Sequence, residues 1–375
     1  MQSNKATMTS RREFVSNALG IALVTALTWQ ARADQARSLH GQSDSSASNS
    51  GSTTQNRSLR WDVFLSPSIP AIAIDLPPGE KERPWPPISS TLISGERDAV
   101  LVDTPITIEQ ARALANWVAA SGKNLTTIYA THGHGDHFFG TSTVLERFPG
   151  ARFVARPEVI KVMRQQASPE SLDMFWNPRF RGQISSHLAI AEELTGNVIN
   201  LEGHDLVSVP LGFTDTAGTT CLHVPSIGLI VAGDAAYNGD HLHLSESPDQ
   251  QKRQEWIAAL DKMESLKPRA VIAGHKRVGN DDSPKILGET RRYIRDFECL
   301  AMQTTTAREL YADQMLKLSP DWINRGALWS SVRAIRTIVL LAPSGRFQRK
   351  SGAPLFWVKI PCWPRYYSEM DISRL

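Results

Sequence analysis

The stretch THGHGDH at residues 131–137 places three histidines and an aspartate within six residues, separated only by glycines. In extended chain, side chains two positions apart lie on the same side, so His132, His134 and Asp136 are expected to face one way. His137 points elsewhere, which suits a second, adjacent metal ion. Zinc prefers imidazole and carboxylate ligands among such side chains. The stretch therefore predicts a metal-binding loop.

Apolar patterns on both sides of this loop predict alternating strands and helices. Strands are predicted at 89–94, 98–103, 125–130, 151–155, 197–201, 206–211, 219–224, 228–233 and 269–275. Helices are predicted at 108–120, 137–148, 157–166, 248–266 and 284–318. Thr107 and Gln110 form the pattern of a capping box before the first of these helices. The strands fall into two blocks, each with attached helices, which indicates α/β layers around two sheets.

Over about residues 88–332 the chain resembles the metallo-β-lactamase-fold metallohydrolases. The resemblance rests on THGHGDH, on GFTDTAGTTCLHVPSIGLIVAGDAAYN at 212–238 and on AGHK at 273–276. It implies an α/β fold, a four-layer αββα sandwich with metals at the sheet edges, with C-terminal helices added.

The resemblance also implies two neighbouring metal sites. The implied ligands are His132 and His134 for the first site, Asp136, His137 and His275 for the second, and Asp234 as the bridge between them. Asp234 and His275 each follow an apolar strand and an Ala-Gly pair, as residues of loops at a pocket edge do.

The chain departs from the family pattern at Phe213. The family normally has a histidine there, in a Gly-His-Thr turn, as the third ligand of the first site. Phenylalanine cannot bind a metal. Neither His204 nor His223 is expected to replace the missing ligand, because His204 precedes a strand that would carry it away from the site and His223 lies within a strand. We therefore expect an incomplete first site and closer to one tightly bound metal than two, on the second-site side.

The function that the resemblance implies is metal-dependent hydrolysis of a small carbonyl substrate. Zinc is the expected cofactor, as one or two ions, and iron is the less favoured metal. The bound metals would lower the pKa of a water so that hydroxide attacks an ester, lactone, lactam or thioester. Asp136 is the candidate catalytic residue, because it can orient that hydroxide. Substrate contacts depend on loops such as 168–190 and 237–243 and are not identified.

Two other functions remain open. One is an iron-dependent oxygenase on the same fold, which would depend on the first site. The other is a degenerate, non-catalytic family member that binds metal weakly or not at all. Identification of the bound metal discriminates between the three: zinc favours the hydrolase, iron the oxygenase, and no metal the degenerate protein.

The N-terminus has the order of features typical of an export signal. Twin arginines at 11 and 12 precede an apolar stretch at 18–29 and a small-residue site at 31–33. This predicts a twin-arginine signal peptide over 1–33, export by the twin-arginine machinery and a periplasmic location. Residues 34–58 are rich in Ser, Asn, Gly and Thr and predict a flexible linker.

The rest of the chain is divided into a metallo-β-lactamase-like domain at 59–300, a C-terminal helical extension at 301–332 and a basic tail at 333–375. The tail is rich in Pro and Trp and is expected to pack poorly. Residues 1–33 carry a charge of +3 and the tail +6, which leaves 34–332 at −6 within the whole chain's +3. This acidic body argues against nucleic-acid binding. No apolar run reaches the length of a membrane span.

Overall fold

The computed structural model describes residues 58–72 and 75–341, with side chains left out at 313–315 and 338–341. The predicted signal peptide, almost all of the predicted linker and residues 342–375 of the predicted tail lie outside the described residues. Those predictions therefore stay predictions.

The first sheet has six strands in the order β1-β4-β5-β6-β7-β8. The strands are β1 (Arg60–Leu65), β4 (Ser89–Ser94), β5 (Asp98–Val102), β6 (Asn124–Tyr129), β7 (Arg152–Ala155) and β8 (Glu192–Glu193). Strands β1, β4 and β5 are antiparallel, and β5 to β8 run parallel. The predicted hairpin of β4 and β5 is thus confirmed. A separate ribbon pairs β2 (Ile69–Ala71) with β3 (Arg83–Trp85).

The second sheet has five strands in the order β13-β12-β11-β10-β9. They are β9 (Val198–Leu201), β10 (His204–Gly212), β11 (Thr219–Val224), β12 (Leu229–Asn238) and β13 (Ala270–Lys276). Strands β9 to β12 are antiparallel to one another in sequence, and β12 pairs with β13 in parallel. Every residue of β12 and β13 is buried, and each strand begins with an apolar run before its polar residues Asp234 and His275.

The longer α-helices cover the outer faces of both sheets. They are α1 (Ile108–Ala120), α2 (Thr141–Arg147), α3 (Pro157–Gln166), α4 (Gln250–Ser265), α5 (Lys285–Gln303) and α6 (Arg325–Leu341). One apolar core packs α1 to α3 on the first sheet, and another packs α4 to α6 on the second. A third core, with Val100, Tyr129 and Leu222, fills the space between the sheets. The predicted four-layer αββα sandwich is confirmed.

The start of α1 is confirmed, and the start of α2 is corrected. The Gln110 amide donates to Thr107 Oγ1 at 3.2 Å and the Thr107 amide donates to Gln110 Oε1 at 3.3 Å, which completes the predicted capping box. The helix expected from His137 begins only at Thr141, after one 3₁₀ turn at 135–137. The His137 carbonyl accepts from the Thr104 amide at 2.9 Å, so this part of the loop is tied to the β5–α1 connection instead of to a helix.

Both predicted C-terminal boundaries fall inside helices. Helix α5 runs across the predicted boundary at 300, and α6 runs across the boundary at 333. Leu328, Val332 and Ile335 recur at helical spacing on α6 and are buried against the second sheet's helices. The expectation that the chain packs poorly from residue 333 is therefore corrected for 333–337. Among the described residues, the structure has no helix with the length and apolar character to cross a bilayer.

Candidate metal centre

Asp103, directly after β5, holds the histidine loop in place. Its two carboxylate oxygens accept hydrogen bonds from the amide and the hydroxyl of Thr131, each at 2.8 Å. His137 donates from Nδ1 to the same carboxylate at 3.3 Å. His132 donates from Nδ1 to the Thr131 hydroxyl at 3.0 Å, because that hydroxyl already uses its proton on Asp103. Both histidines therefore turn Nε2 towards the centre.

His134 and His275 are oriented by the same principle. His134 donates from Nε2 to Glu246 at 2.9 Å and turns Nδ1 inward. The second oxygen of Glu246 accepts from the Thr216 hydroxyl at 2.7 Å, which fixes that carboxylate. His275 donates from Nδ1 to the Pro87 carbonyl at 2.9 Å and turns Nε2 inward. Each of the four predicted histidine ligands thus presents one ring nitrogen to a common centre.

Asp215 completes the first group of ligands. Its carboxylate is fully buried, and Oδ2 lies 3.0 Å from His134 Nδ1 and 3.7 Å from His132 Nε2. Together with Asp234, these side chains offer ligand atoms that all lie within 4.8 Å of one another. The first group therefore consists of two imidazoles, one carboxylate of its own and a share of Asp234.

The structure places a carboxylate that the sequence did not identify, Asp215, beside the two histidines of the first group, while the incomplete first site inferred from Phe213 stays a prediction. The Phe213 ring centroid lies 4.5 Å from Lys252 Nζ, and Phe213 is not among the residues that line the cavity beside the ligands. Strand β10 has a register shift near its end and Gly212 takes a φ of +82°, and in the turn that follows Asp215 is buried beside His132 and His134. His204 and His223 belong to none of the candidate ligand groups among the described residues, as expected.

The second group joins Asp136, His137 and His275, again with ligand atoms within 4.8 Å of one another. Asp136 Oδ2 lies 3.4 Å from His275 Nε2 and 4.0 Å from His137 Nε2. The same oxygen accepts a hydrogen bond from the Trp85 indole at 2.9 Å, which fixes its position. The structure therefore brings together the second-site ligands that the resemblance implied.

Asp234 lies between the two groups. Its Oδ1 is 3.2 Å from His137 Nε2, and its Oδ2 is 3.4 Å from His275 Nε2. The Tyr237 hydroxyl donates to Oδ2 at 2.8 Å. Gly274 packs directly against this carboxylate, because a Cβ there would meet Asp234 Oδ1 at 2.1 Å. Any larger residue at 274 would displace the side chain that both groups share.

The chemistry of these side chains fits bound cations. His132 Nε2, His137 Nε2, Asp215 Oδ2 and Asp234 Oδ1 are buried without a hydrogen-bond partner among the described residues. A buried polar atom without a partner costs about 1–3 kcal/mol. Four such atoms converge on one place, although several lie within about 4 Å of an oppositely charged neighbour. Buried imidazole nitrogens and carboxylate oxygens that converge in this way fit the ligand chemistry of a bound cation.

The histidines of the second group bind protons strongly. Burial lowers the pKa of His137, but the carboxylates of Asp234 and Asp136 outweigh that effect and raise the pKa to about 10. Burial likewise lowers the pKa of His275, and Asp234 and Asp136 raise it well above its ordinary value. Burial raises the pKa of Asp136, but His137 and His275 hold it far below its ordinary range. Cations must compete with these protons, so metal affinity is coupled to pH.

A cavity of about 580 Å³ opens onto the ligands. The two loops predicted to contact the substrate both line this cavity. Loop 168–190 contributes Phe175 and Arg179, and loop 237–243 contributes Tyr237 and His243. Trp176 from the first loop is also buried against Phe139, so that loop contributes to packing as well. The cavity gives a substrate access to the metal centre from one side.

Sequence reasoning missed three acidic residues of the centre, namely Asp103, Asp215 and Glu246. Asp215 could have been found, because it is the one ionisable residue between β10 and β11. Asp103 ends a strong strand pattern, where an aspartate is also a common turn residue. Glu246 lies in a loop of irregular structure and has no pattern that indicates its role.

Comparison with known proteins supports this architecture. The family model of the metallo-beta-lactamase superfamily matches residues 83–275, about half of the chain. A curated metallo-beta-lactamase type 2 from Bacteroides fragilis is 22% identical over 214 residues, which cover 56% of this chain and 76% of that protein. A crystal structure of a metallo-beta-lactamase family protein from Thermus thermophilus superposes with a TM-score of 0.53 at 20% identity, covering 74% of this chain and 93% of that one.

Proposed function

The chain belongs to the metallo-beta-lactamase superfamily, and from that premise we propose that it is a zinc-dependent hydrolase of a small carbonyl compound, an ester, lactone, lactam or thioester. The observation that carries this proposal is the inward orientation of four histidines around a shared Asp234 at a cavity. His132, His134 and Asp215 would hold one ion. Asp136, His137 and His275 would hold the other.

Bound zinc would supply Lewis-acid activation of a water molecule and of the substrate carbonyl. The work of the protein is to fix the reacting groups. Asp136 faces the cavity with Oδ2 held by Trp85, so its carboxylate is placed to orient the attacking water. Tyr237 holds the shared Asp234, and burial together with that carboxylate raises the pKa of Tyr237 well above its ordinary value. Tyr237 therefore stays a hydrogen-bond donor.

The test combines metal analysis with a substrate panel. Purified full-length protein should hold about two zinc ions and hydrolyse at least one member of a panel of lactones, lactams, esters and thioesters. Asp136→Asn should lower kcat by about 10²-fold, the cost of a misplaced reacting group. His187→Ala, a change at an exposed histidine that does not line the cavity, serves as the control. Protein that takes up zinc and hydrolyses nothing would contradict the proposal.

One observation favours a second candidate function, an iron-dependent oxygenase. His132, His134 and Asp215 form a set of two imidazoles and one carboxylate, which is the ligand type of mononuclear iron oxygenases. Iron in protein purified after growth with both metals, together with oxygen uptake, would support this function in place of hydrolysis. Protein that binds neither metal would instead fit the non-catalytic alternative.

We also propose that the twin-arginine signal directs the chain to the periplasm. The support is the order of Arg11, Arg12, apolar stretch and small-residue site in the first 33 residues. Export of the folded protein would allow the metal centre to be filled before translocation.

A further inference from the structure

Three arginines line the cavity that opens onto the metal centre. Arg83 comes from β3, Arg179 from the helical turn at 177–179, and Arg333 from α6. They surround a single acidic side chain, Asp75. Arg83 lies 3.1 Å from the Asp75 carboxylate, and Arg333 forms an ion pair with its other oxygen. We call these four residues the arginine cluster, and their formal charge is +2.

The guanidinium groups are held in position by neutral partners as well. Arg83 donates to the Gly326 carbonyl at 2.9 Å and to the Ser330 hydroxyl at 2.8 Å. Arg179 donates to the Phe175 carbonyl at 2.7 Å and lies 3.7 Å from the centroid of the Phe175 ring. Burial lowers the pKa of Arg179, and the charge of the neighbouring Arg83 lowers it further. Asp75 alone does not neutralise them.

The arginine cluster and the metal centre share one wall. Trp85 donates to Asp136 in the metal centre, and Arg83 lies two residues earlier on the same strand. Alternate residues of a strand face the same side, about 7 Å apart. Trp85 also contacts Phe175 edge to face, with ring centroids 6.4 Å apart. The path from the metal centre to the arginine cluster is therefore aromatic.

We propose that the arginine cluster binds the acidic end of the substrate. The substrate class is a carbonyl compound with an apolar body and a terminal carboxylate. Its apolar body would lie against Trp85 and Phe175, and its carboxylate would pair with Arg179 and with N–H groups of Arg83 and Arg333 that Asp75 does not occupy. Guanidinium groups bind carboxylates through paired, charge-assisted hydrogen bonds. This inference rests on the proposed hydrolase function for the identity of the ligand as a substrate.

The test uses a pair of non-hydrolysable probes of the same shape, 4-phenylbutyrate and its neutral amide. Binding to full-length protein is measured by calorimetry, with and without prior removal of metal by a chelator. The acid should bind at least about tenfold more tightly than the amide, since one hydrogen bond to a charged group contributes about 1.5–3 kcal/mol. Arg179→Gln should remove most of that preference, and chelation should leave it in place. Arg181→Gln, at an exposed arginine of the same loop that does not line the cavity, is the matched control.

A variant that is expected to strengthen binding distinguishes a specific effect on the cluster from a general loss of folding. Asp75→Asn removes the carboxylate that competes for Arg83 and Arg333, so it should tighten binding of the acid by several-fold. Equal binding of acid and amide, or equal loss in the variants at Arg179 and Arg181, would overturn the inference. A preference that disappears on chelation would place the carboxylate on the metal centre and overturn it as well. Arg179-dependent binding without hydrolysis of any ester, lactone, lactam or thioester would sustain the subsite and refute the proposed function.

Discussion

Replacement of Asp215 by alanine tests its assignment to the first ligand group directly. Asp215 supplies one of the four ligand side chains of the first group, and its carboxylate is fully buried beside His132 and His134. Its removal leaves the first group with two imidazoles and a share of Asp234. Loss of a residue that only supports a ligand costs about 10–100-fold in metal affinity, so loss of the ligand itself should cost at least about 100-fold.

The assay is the number of metal ions per chain, by elemental analysis after dialysis against a zinc buffer, together with a calorimetric titration. The unmodified protein should retain about two ions, and Asp215→Ala about one. Asp205→Ala, at an exposed aspartate on β10, should behave as the unmodified protein does.

Phe213→His distinguishes between two assignments of the third ligand of the first site, namely Asp215 from the structure and position 213 from the sequence. If Phe213 stood in the ligand position, this change would add a second tightly bound metal. Because its ring lies beside Lys252, we expect no change in metal content. A gain of one ion in Phe213→His, or two tightly bound ions in Asp215→Ala, would refute the assignment of Asp215.

Three further predictions concern acid–base behaviour, stability and export. The pKa of His137 is raised from 6.5 to about 10, so in protein stripped of metal its contribution to the free energy of unfolding is complete below pH 6.5 and is lost as the pH rises to 10. Unfolding by denaturant should show this fall in stability. The affinity for zinc should rise over the same pH interval. The Glu202 carboxylate accepts three amide hydrogen bonds from residues 96–98, which lower its pKa to about 2, so its contribution is present above pH 4.5 and is lost towards pH 2. Glu202→Gln should therefore lower the free energy of unfolding at pH 7 by about 1 kcal/mol, a small value because the group is exposed to solvent, and an unchanged free energy would contradict this role. Arg11→Lys combined with Arg12→Lys should trap the protein in the cytoplasm, and periplasmic protein in cell fractionation would contradict the targeting prediction.

The features that the sequence predicted well are those determined locally. The capping box of Thr107 and Gln110 needs only two side chains three residues apart, and the buried strand at 124–129 needs only a run of apolar and β-branched residues. The loop after that strand then follows from its own spacing of histidines. Such patterns predict the structure correctly because no contact with a distant part of the chain is required to form it.

The third ligand of the first site was missed because its position depends on the path of the backbone. Counting along the chain from the Gly-His-Thr pattern puts Phe213 at the ligand position. The structure instead has Asp215 beside His132 and His134, three residues after a glycine with positive φ and after a register shift in β10. Neither feature has a signature in residue periodicity. The helix start after His137 was missed for a similar reason, since the contact of its carbonyl with Thr104 joins distant parts of the chain.

The distribution of charge in the cavity follows from these same assignments. One part of its lining carries Asp136, Asp234 and Glu246, while another carries the arginine cluster, with Trp85 between them. Asp215 adds a carboxylate to a group for which the family resemblance implies a neutral imidazole, so divalent ions held there would be neutralised more fully. The carboxylate of the proposed substrate would then be attracted less to the metal centre and relatively more to the arginines. Trp85 donates a hydrogen bond to Asp136 and lies on the same short strand as Arg83. This strand would therefore orient the proposed substrate, with its carbonyl group at the metal centre and its carboxylate at the arginine cluster.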